Sequence, residues 1–178
     1  YFISLFKEDY PITVLSRGYG RISKGFQLGD EDSTAKTVGD EPLMFLQQHP
    51  GIRVVVCNNR RQGMNALIGH ESNRGNGVFL WDDCFQHRWV KPSYMVLLTT
   101  FSSPYFKDYV LPVGNLRELS GGADRADIII VTKCPQNLSL EQQTKIRERL
   151  QPKNHQHLFF SSIRYAYTVY GKSRQLPD

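Results

Sequence analysis

The stretch "GVFLWDDCFQHR" (Gly77–Arg88) joins an apolar run directly to two adjacent carboxylates. The apolar run is continuous rather than alternating, which is typical of a strand in a parallel sheet covered on both faces. Asp82 and Asp83 end the run, and Gln86 and His87 follow within a few residues. Because ligands of open α/β sheets bind beyond the carboxyl ends of the strands, this stretch predicts a buried strand with a polar site at its end.

Five other apolar runs have the same character. We predict strands at Ile12–Ser16, Ile52–Cys57, Ser93–Thr100, Ala126–Lys133 and His157–Ile163. Helical patterns lie between some of these runs, and we predict helices at Asp40–His49 and Ser139–Leu150, with Tyr1–Lys7 as the last turns of another. Alternating strands and helices predict one α/β domain over residues 1–178, with a mostly parallel sheet and flanking helices.

Composition narrows the possible partners. The 178 residues carry 22 Lys and Arg against 17 Asp and Glu, a net charge of +5. Such a surplus suits phosphate-bearing ligands, anionic lipid or nucleic acid, or is simply a mixed solvated surface. The charge is spread along the chain, and without a basic cluster or recognised module it argues against nucleic acid. Cys57, Cys84 and Cys134 form no CxxC pair, so a zinc site or disulfide framework is not expected and a reducing, cytosolic setting fits.

Three further motifs carry groups that bind phosphate or metal. "SRGYGRISKG" (Ser16–Gly25) supplies glycines for close backbone approach to an anion and arginines for phosphate, or is a plain turn. "VGDEP" (Val38–Pro42) places two carboxylates at a helix start, as dipole partners or as a base and magnesium partner. Arg117 of "LPVGNLRE" lies in a surface loop or a phosphate clamp. The Asp82–Asp83 pair is a solvated turn or a Walker B-like magnesium site.

Two nucleotide-binding motifs are not present. No GxxxxGK[ST] string occurs in the chain. "TKCP" has Pro135 where the guanine-reading NKxD motif of GTP-binding proteins requires aspartate, which excludes the GTPase interpretation.

In this order, the motifs resemble one family, the tetraacyldisaccharide 4'-kinases, which are the lipid A kinases of Gram-negative bacteria. The matching strings are "VLSRGYGRISKG", "VGDEP", "VVVCNNRRQG", "DDCFQHR", "LPVGNLRE", "RADIIIVTKCP" and "LFFSSIRY". The "TKCP" and "LFFSS" strings are most similar to those of the Bacteroidetes branch of the family. The resemblance implies an incomplete P-loop NTPase-like fold and magnesium-dependent transfer of the γ-phosphate of ATP to the 4'-hydroxyl of a lipid A disaccharide precursor.

The resemblance also implies a role for each motif residue. Asp40 would be the base, Arg117 would steady charge, and Asp82 and Glu41 would hold Mg²⁺. The groups implied around ATP are Asp83, Gln86, His87 and Arg60. Arg17 and Tyr19 would shape the acceptor side.

The resemblance further implies that the chain is an internal fragment. The family's Walker A loop and N-terminal membrane-associated helix are expected before Tyr1, and further family sequence is expected after Asp178. The parent would then work at the cytoplasmic face of the bacterial inner membrane, contacting it through the missing N-terminal part. The alternatives are a truncated, inactive domain that binds phosphate or a partner, and a nucleic-acid-binding domain.

Overall fold

A computed structural model of the chain describes residues 1–69 and 77–165. The chain forms two compact units, Tyr1–Val90 and Lys91–Asp178, and each is described by itself. Our expectation of one domain over residues 1–178 stays a prediction.

The first unit is a four-stranded sheet with helices. Its elements are α1 (Phe2–Phe6), β1 (Ile12–Ser16), β2 (Gln27–Leu28), α2 (Ala35–Val38), α3 (Asp40–Gln48), β3 (Arg53–Val56), α4 (Arg60–Gly69) and β4 (Val78–Trp81). The strand order is β2-β3-β1-β4. β1 pairs in parallel with β3 and with β4, whereas the short β2 runs antiparallel to β3.

The core of this unit lies on both faces of β1 and β3. Val14 and Val54 pack with Ile3 and Ile12 in one cluster. The next residues along each strand, Leu15 and Val55, pack with Cys57 and Leu67 in a second cluster. Successive strand residues point to opposite faces of a sheet, so both faces are covered. This explains why these strands read as continuous apolar runs.

The second unit contains a three-stranded parallel sheet. Its elements are β5 (Val96–Thr100), β6 (Ile128–Cys134), α5 (Leu140–Leu150) and β7 (His157–Ser162), with 3₁₀ helices at Tyr105–Lys107 and Ser120–Arg125. The strand order is β5-β6-β7.

All six predicted strands and the three predicted helical segments are present, with ends that differ by a few residues. The predicted burial is confirmed for β1 and β3. It is wrong for β4, which is half-buried throughout, and for β7, which is mostly exposed. The capping box at α5 is also present. The backbone amide of Gln142 donates to Ser139 Oγ at 3.2 Å, and Ser139 N donates to Gln142 Oε1 at 3.0 Å. Among the described residues, no helix has both the length and the apolar character needed to cross a membrane.

Besides the two 3₁₀ helices, three elements were not predicted: β2, α2 and α4. α4 begins at Arg60, inside the polar string "NNRRQG", so its first turn has no apolar periodicity to signal a helix. Its apolar contacts come later, at Met64 and Leu67. Gly63 packs against Cys57, the residue after β3, so closely that an added Cβ would lie 3.0 Å from the Cβ of Cys57.

Leu15→Ala tests the core of the first unit. Leu15 is fully buried, so we expect a loss of about 2–5 kcal/mol in the free energy of unfolding. Both tryptophans, Trp81 and Trp89, belong to this unit, so their fluorescence during denaturant titration reports its unfolding. Leu5→Ala is the matched control, because Leu5 lies on α1 and is 52% exposed. Equal losses for the two variants would contradict the assigned core.

Candidate active site

The register of β1 against β4 brings the first carboxylate to the end of β1. Leu15 lies opposite Trp81 in the parallel pair, so Ser16, the last residue of β1, lies beside Asp82, the first residue after β4. The backbone amide of Asp82 donates to the Leu15 carbonyl at 3.1 Å. Ser16 Oγ donates to Asp82 Oδ2 at 3.3 Å. The Asp82 carboxylate is therefore held by both its backbone and its side chain.

A second carboxylate reaches Asp82 from the start of α3. Asp40 and Glu41 lie in the first turn of this helix, and the Glu41 carboxyl lies close enough to Asp82 to share a hydrogen bond when one of the two is protonated. The negative charge of Asp82 raises the pKa of Glu41 above its usual range, and burial and Asp83 add to the effect. Negative charge is thus concentrated at the carboxyl ends of β1 and β4.

Arg60 supplies positive charge beside this carboxylate cluster. It is only 5% exposed, and its Nη2 donates to the backbone carbonyl of Asp82 at 2.8 Å. Burial lowers the pKa of Arg60, and nearby Arg17 lowers it further, while Cys84, Asp82 and Asp83 act in the opposite direction. Two other guanidinium nitrogens of Arg60, Nε and Nη1, are buried without a hydrogen-bond partner.

Two glycines bring the loop after β1 against the start of α3. Gly39 has a φ of 96°, and a Cβ added to it would lie 3.0 Å from Gly18 Cα and from the Tyr19 carbonyl oxygen. A Cβ on Gly18, whose φ is 68°, would lie 2.6 Å from the Val38 carbonyl oxygen. These contacts leave no room for side chains. The loop carrying Arg17 and Tyr19 therefore lies directly beside the first turn of α3.

The turn after β4 places the remaining motif residues of this unit. Asp83 is exposed and adopts a left-handed backbone conformation with a φ of 45°. The backbone amide of His87 donates to the Cys84 carbonyl at 2.8 Å, which closes the turn, and Gln86 within it is half-buried. His87 lines a groove of about 540 Å³, together with Asn58, Asn59, Arg60, Arg61, Trp81, Trp89 and Val90.

The chemistry of the cluster fits a magnesium ion with few protein ligands. In the described part of the chain, no three His, Cys, Asp or Glu side chains are grouped so that they could hold a metal ion. Mg²⁺ usually takes only one or two carboxylates and completes its shell with water and substrate phosphates. The Glu41–Asp82 pair meets that requirement, and a dication would offset the charge that raises the pKa of Glu41.

The first unit contains nine of the ten residues that the sequence predicts for the site. It places Arg17, Tyr19, Asp40, Glu41, Arg60, Asp82, Asp83, Gln86 and His87 in neighbouring loops and helix starts. Arg117 belongs to the second unit, where it is exposed in the loop before the second 3₁₀ helix. The sequence analysis did not identify Ser16 as an Asp82 partner. The signal is the strand register, since both residues directly follow paired positions.

Comparison with known proteins assigns the family. The profile of the family described as tetraacyldisaccharide-1-P 4'-kinase matches residues 2–172. The chain belongs to this family. The tetraacyldisaccharide 4'-kinase of Flavobacterium johnsoniae is 45% identical over 176 residues, which cover 99% of this chain and 51% of that protein. The enzyme of the same name from Bacteroides thetaiotaomicron is 42% identical over 165 residues, 93% of this chain and 43% of that protein.

The chain spans about half the length of the curated relatives it matches. Among solved structures, it is similar to the "apo" form of LpxK from Aquifex aeolicus in complex with ATP. The TM-score is 0.62 at 24% identity, and the match covers 98% of this chain and 69% of that chain. The predicted family, its Bacteroidetes character and the P-loop kinase type of α/β fold are therefore confirmed.

Gly39→Ala tests the contact between the loop after β1 and α3. Gly51 has a similar φ of 89° but nothing within 4 Å of an added Cβ, so Gly51→Ala is the matched control. We expect the control to lose about 1–2 kcal/mol in unfolding free energy from backbone strain alone. Gly39→Ala should lose about 1–3 kcal/mol more from overpacking. Denaturant titration measures both, and equal losses would contradict the close contact.

The carboxylate cluster predicts a specific titration behaviour. Because the pKa of Glu41 is raised on folding, the folded chain binds its proton more tightly, and the unfolding free energy falls as pH rises between the unfolded and folded pKa values. Asp82→Asn should bring the Glu41 pKa back toward its usual range, and Asp83→Asn should do so less. Carbon-13 NMR of the Glu41 carboxyl measures both. An unchanged Glu41 pKa in Asp82→Asn would contradict the cluster.

Proposed function

We propose that the full protein is an ATP-dependent kinase of lipid A biosynthesis. It would transfer the γ-phosphate of ATP to the 4'-hydroxyl of a tetraacyldisaccharide 1-phosphate precursor. The observation that carries the proposal is the carboxylate cluster of Glu41, Asp82 and Asp83 at the carboxyl ends of parallel strands, in a chain of this kinase family. This is where α/β folds bind their ligands, and carboxylates of this kind hold the magnesium of phosphoryl transfer.

Asp40 is the candidate general base. It lies in the first turn of α3, is exposed, and directly precedes Glu41. An exposed carboxylate next to the metal-binding pair is open to an incoming hydroxyl and can take its proton during transfer. Arg17 and Tyr19 extend from the loop that Gly18 and Gly39 hold against this turn, so we assign them to the acceptor side.

Asp82 and Glu41 are the residues that would hold Mg²⁺. When bound, this ion supplies positive charge that neutralises the phosphates during transfer. Ser16 orients the Asp82 carboxylate, and Arg60 fixes the Asp82 backbone and balances part of the negative charge. Asp83, Gln86 and His87 lie on the same turn, and we assign them to the nucleotide side. Arg117, in the second unit, is assigned to the charge on the phosphates.

The proposed acceptor is a lipid, and this determines the proposed subcellular location of the reaction. A disaccharide with four acyl chains resides in a membrane, and ATP is available in the cytoplasm. We therefore infer that the full protein works at the cytoplasmic face of the bacterial inner membrane and contacts that surface.

Asp40→Ala in the full-length protein tests the proposed reaction. Transfer of labelled phosphate from Mg²⁺-ATP to tetraacyldisaccharide 1-phosphate is measured for the variant and for the unaltered protein. We expect kcat to fall by about 10²-fold or more, the range for loss of a general base. Asp32→Ala is the control, because Asp32 is an exposed acid in the loop before α2, and its kcat should not change.

Two outcomes would contradict parts of this proposal. If the unaltered full-length protein transfers no phosphate to the lipid disaccharide, the proposed function is wrong. If it does and Asp40→Ala retains normal turnover, the reaction stands but Asp40 is not its base.

A further inference from the structure

One acidic residue of the second unit organises the loop that leads to Arg117. Asp108 follows the 3₁₀ helix Tyr105–Lys107 and accepts three hydrogen bonds. Its Oδ1 accepts from the backbone amides of Tyr109 at 2.8 Å and Asn115 at 3.2 Å. Its Oδ2 accepts from the Asn115 side-chain amide at 3.2 Å. These bonds lower the pKa of Asp108, because they favour its charged form.

Backbone bonds close the same loop immediately before Arg117. The amide of Leu116 donates to the Tyr109 carbonyl at 3.0 Å, and the amide of Leu111 donates to the Leu116 carbonyl at 2.9 Å. Gly114 fits inside this closure, because an added Cβ would clash with the Tyr109 carbonyl oxygen. The two ends of the loop are therefore joined, and Leu116 has a defined position.

The residue after Arg117 is anchored as well. Glu118 pairs with Arg125 at 2.6 Å, and each side chain is less than one-third exposed. Arg117 thus lies between Leu116, which belongs to the closed loop, and Glu118, which is held by an ion pair. Its backbone has little freedom as long as both anchors persist.

Packing contributes little to the shape of the loop itself. The side chains of Tyr109, Leu111 and Val113 are 70%, 60% and 82% exposed. Ordering a loop costs about 1–2 kcal/mol per residue in backbone entropy, and exposed side chains offset little of that cost. The loop conformation is then defined by hydrogen bonds, those to Asp108 and the backbone bonds that close the loop.

We propose that Asp108 is a positioning residue for Arg117. By closing the loop that joins the two residues, Asp108 holds Arg117 in the place where it contacts the phosphates. This inference rests on the proposed function, in which Arg117 steadies charge on the phosphates. Asp108 does not touch the substrate, and it acts only through the loop. Positioning of this kind matters for phosphoryl transfer, since a displacement of about 1 Å can cost 10²-fold in rate.

The Asp108–Asn115 pair permits a swap experiment in the full-length protein. We expect Asp108→Ala to lower kcat/KM for Mg²⁺-ATP by about 10- to 100-fold. Asn115→Asp alone should also lower it, because two carboxylates would then face each other. The double variant Asp108→Asn with Asn115→Asp restores a complementary pair, since the new amide donates to the new carboxylate. It should recover most of the activity, whereas failure to recover would overturn the inference.

A double-mutant cycle of Asp108→Ala with Arg117→Ala distinguishes a positioning effect on Arg117 from a general loss of stability. If Asp108 acts through Arg117, then Asp108→Ala should cause little further loss in the Arg117→Ala background. Additive losses would mean that Asp108 acts elsewhere, and would overturn the inference while the kinase activity stands. Amide hydrogen exchange provides a second readout, since Leu116 should lose protection in Asp108→Ala and regain it in the swapped pair.

The result for the unaltered protein keeps the two proposals apart. No transfer of phosphate to the lipid disaccharide would overturn the proposed function, and this inference with it. Normal transfer that is insensitive to Arg117→Ala would overturn only the role of Arg117 and of Asp108. If Asp108→Ala fails to fold, the swapped pair and its two single variants still decide the question, because they conserve the size of both side chains.

Discussion

The parallel pairing of β1 with β4 is the constraint on which the candidate site depends. Its register places Ser16 beside Asp82 as both strands end, and the resulting hydrogen bond orients the carboxylate. Strand pairing is set by many backbone bonds and by side chains buried on both faces. The position of the Asp82 carboxylate is therefore determined by the core of the whole first unit.

The cost of this arrangement is electrostatic. Glu41 approaches Asp82 closely enough to raise its own pKa, and such like-charge contacts destabilise a fold unless something offsets them. Arg60 provides part of the compensation from a buried position beneath Asp82. A magnesium ion with phosphates would provide more. Concentrated charge of this kind is typical of sites that bind ions or perform chemistry, where function outweighs local stability.

Much of the fold could be predicted because its signals are local. The buried strands are continuous apolar runs, and α5 has a capping box at Ser139 that the structure reproduces. β2 contains only two residues, and α4 starts in a polar string, so neither has a periodicity that indicates its structure. The strand order β2-β3-β1-β4 could not be predicted from local sequence either, because packing between distant segments determines which strands are neighbours.

The sequence by itself determined six of the strands, the starts of α3 and α5, and the groups available for chemistry. These groups are the acids at Asp40–Glu41 and Asp82–Asp83 and the arginines at Arg17 and Arg60. These follow from side-chain type and spacing along the chain. Only the tertiary structure decided that Glu41 meets Asp82, that Arg60 is buried beneath it, and that Gly18 and Gly39 touch. Each of these contacts joins segments at least 20 residues apart in sequence, and strand register and helix packing, not local propensity, bring such segments together.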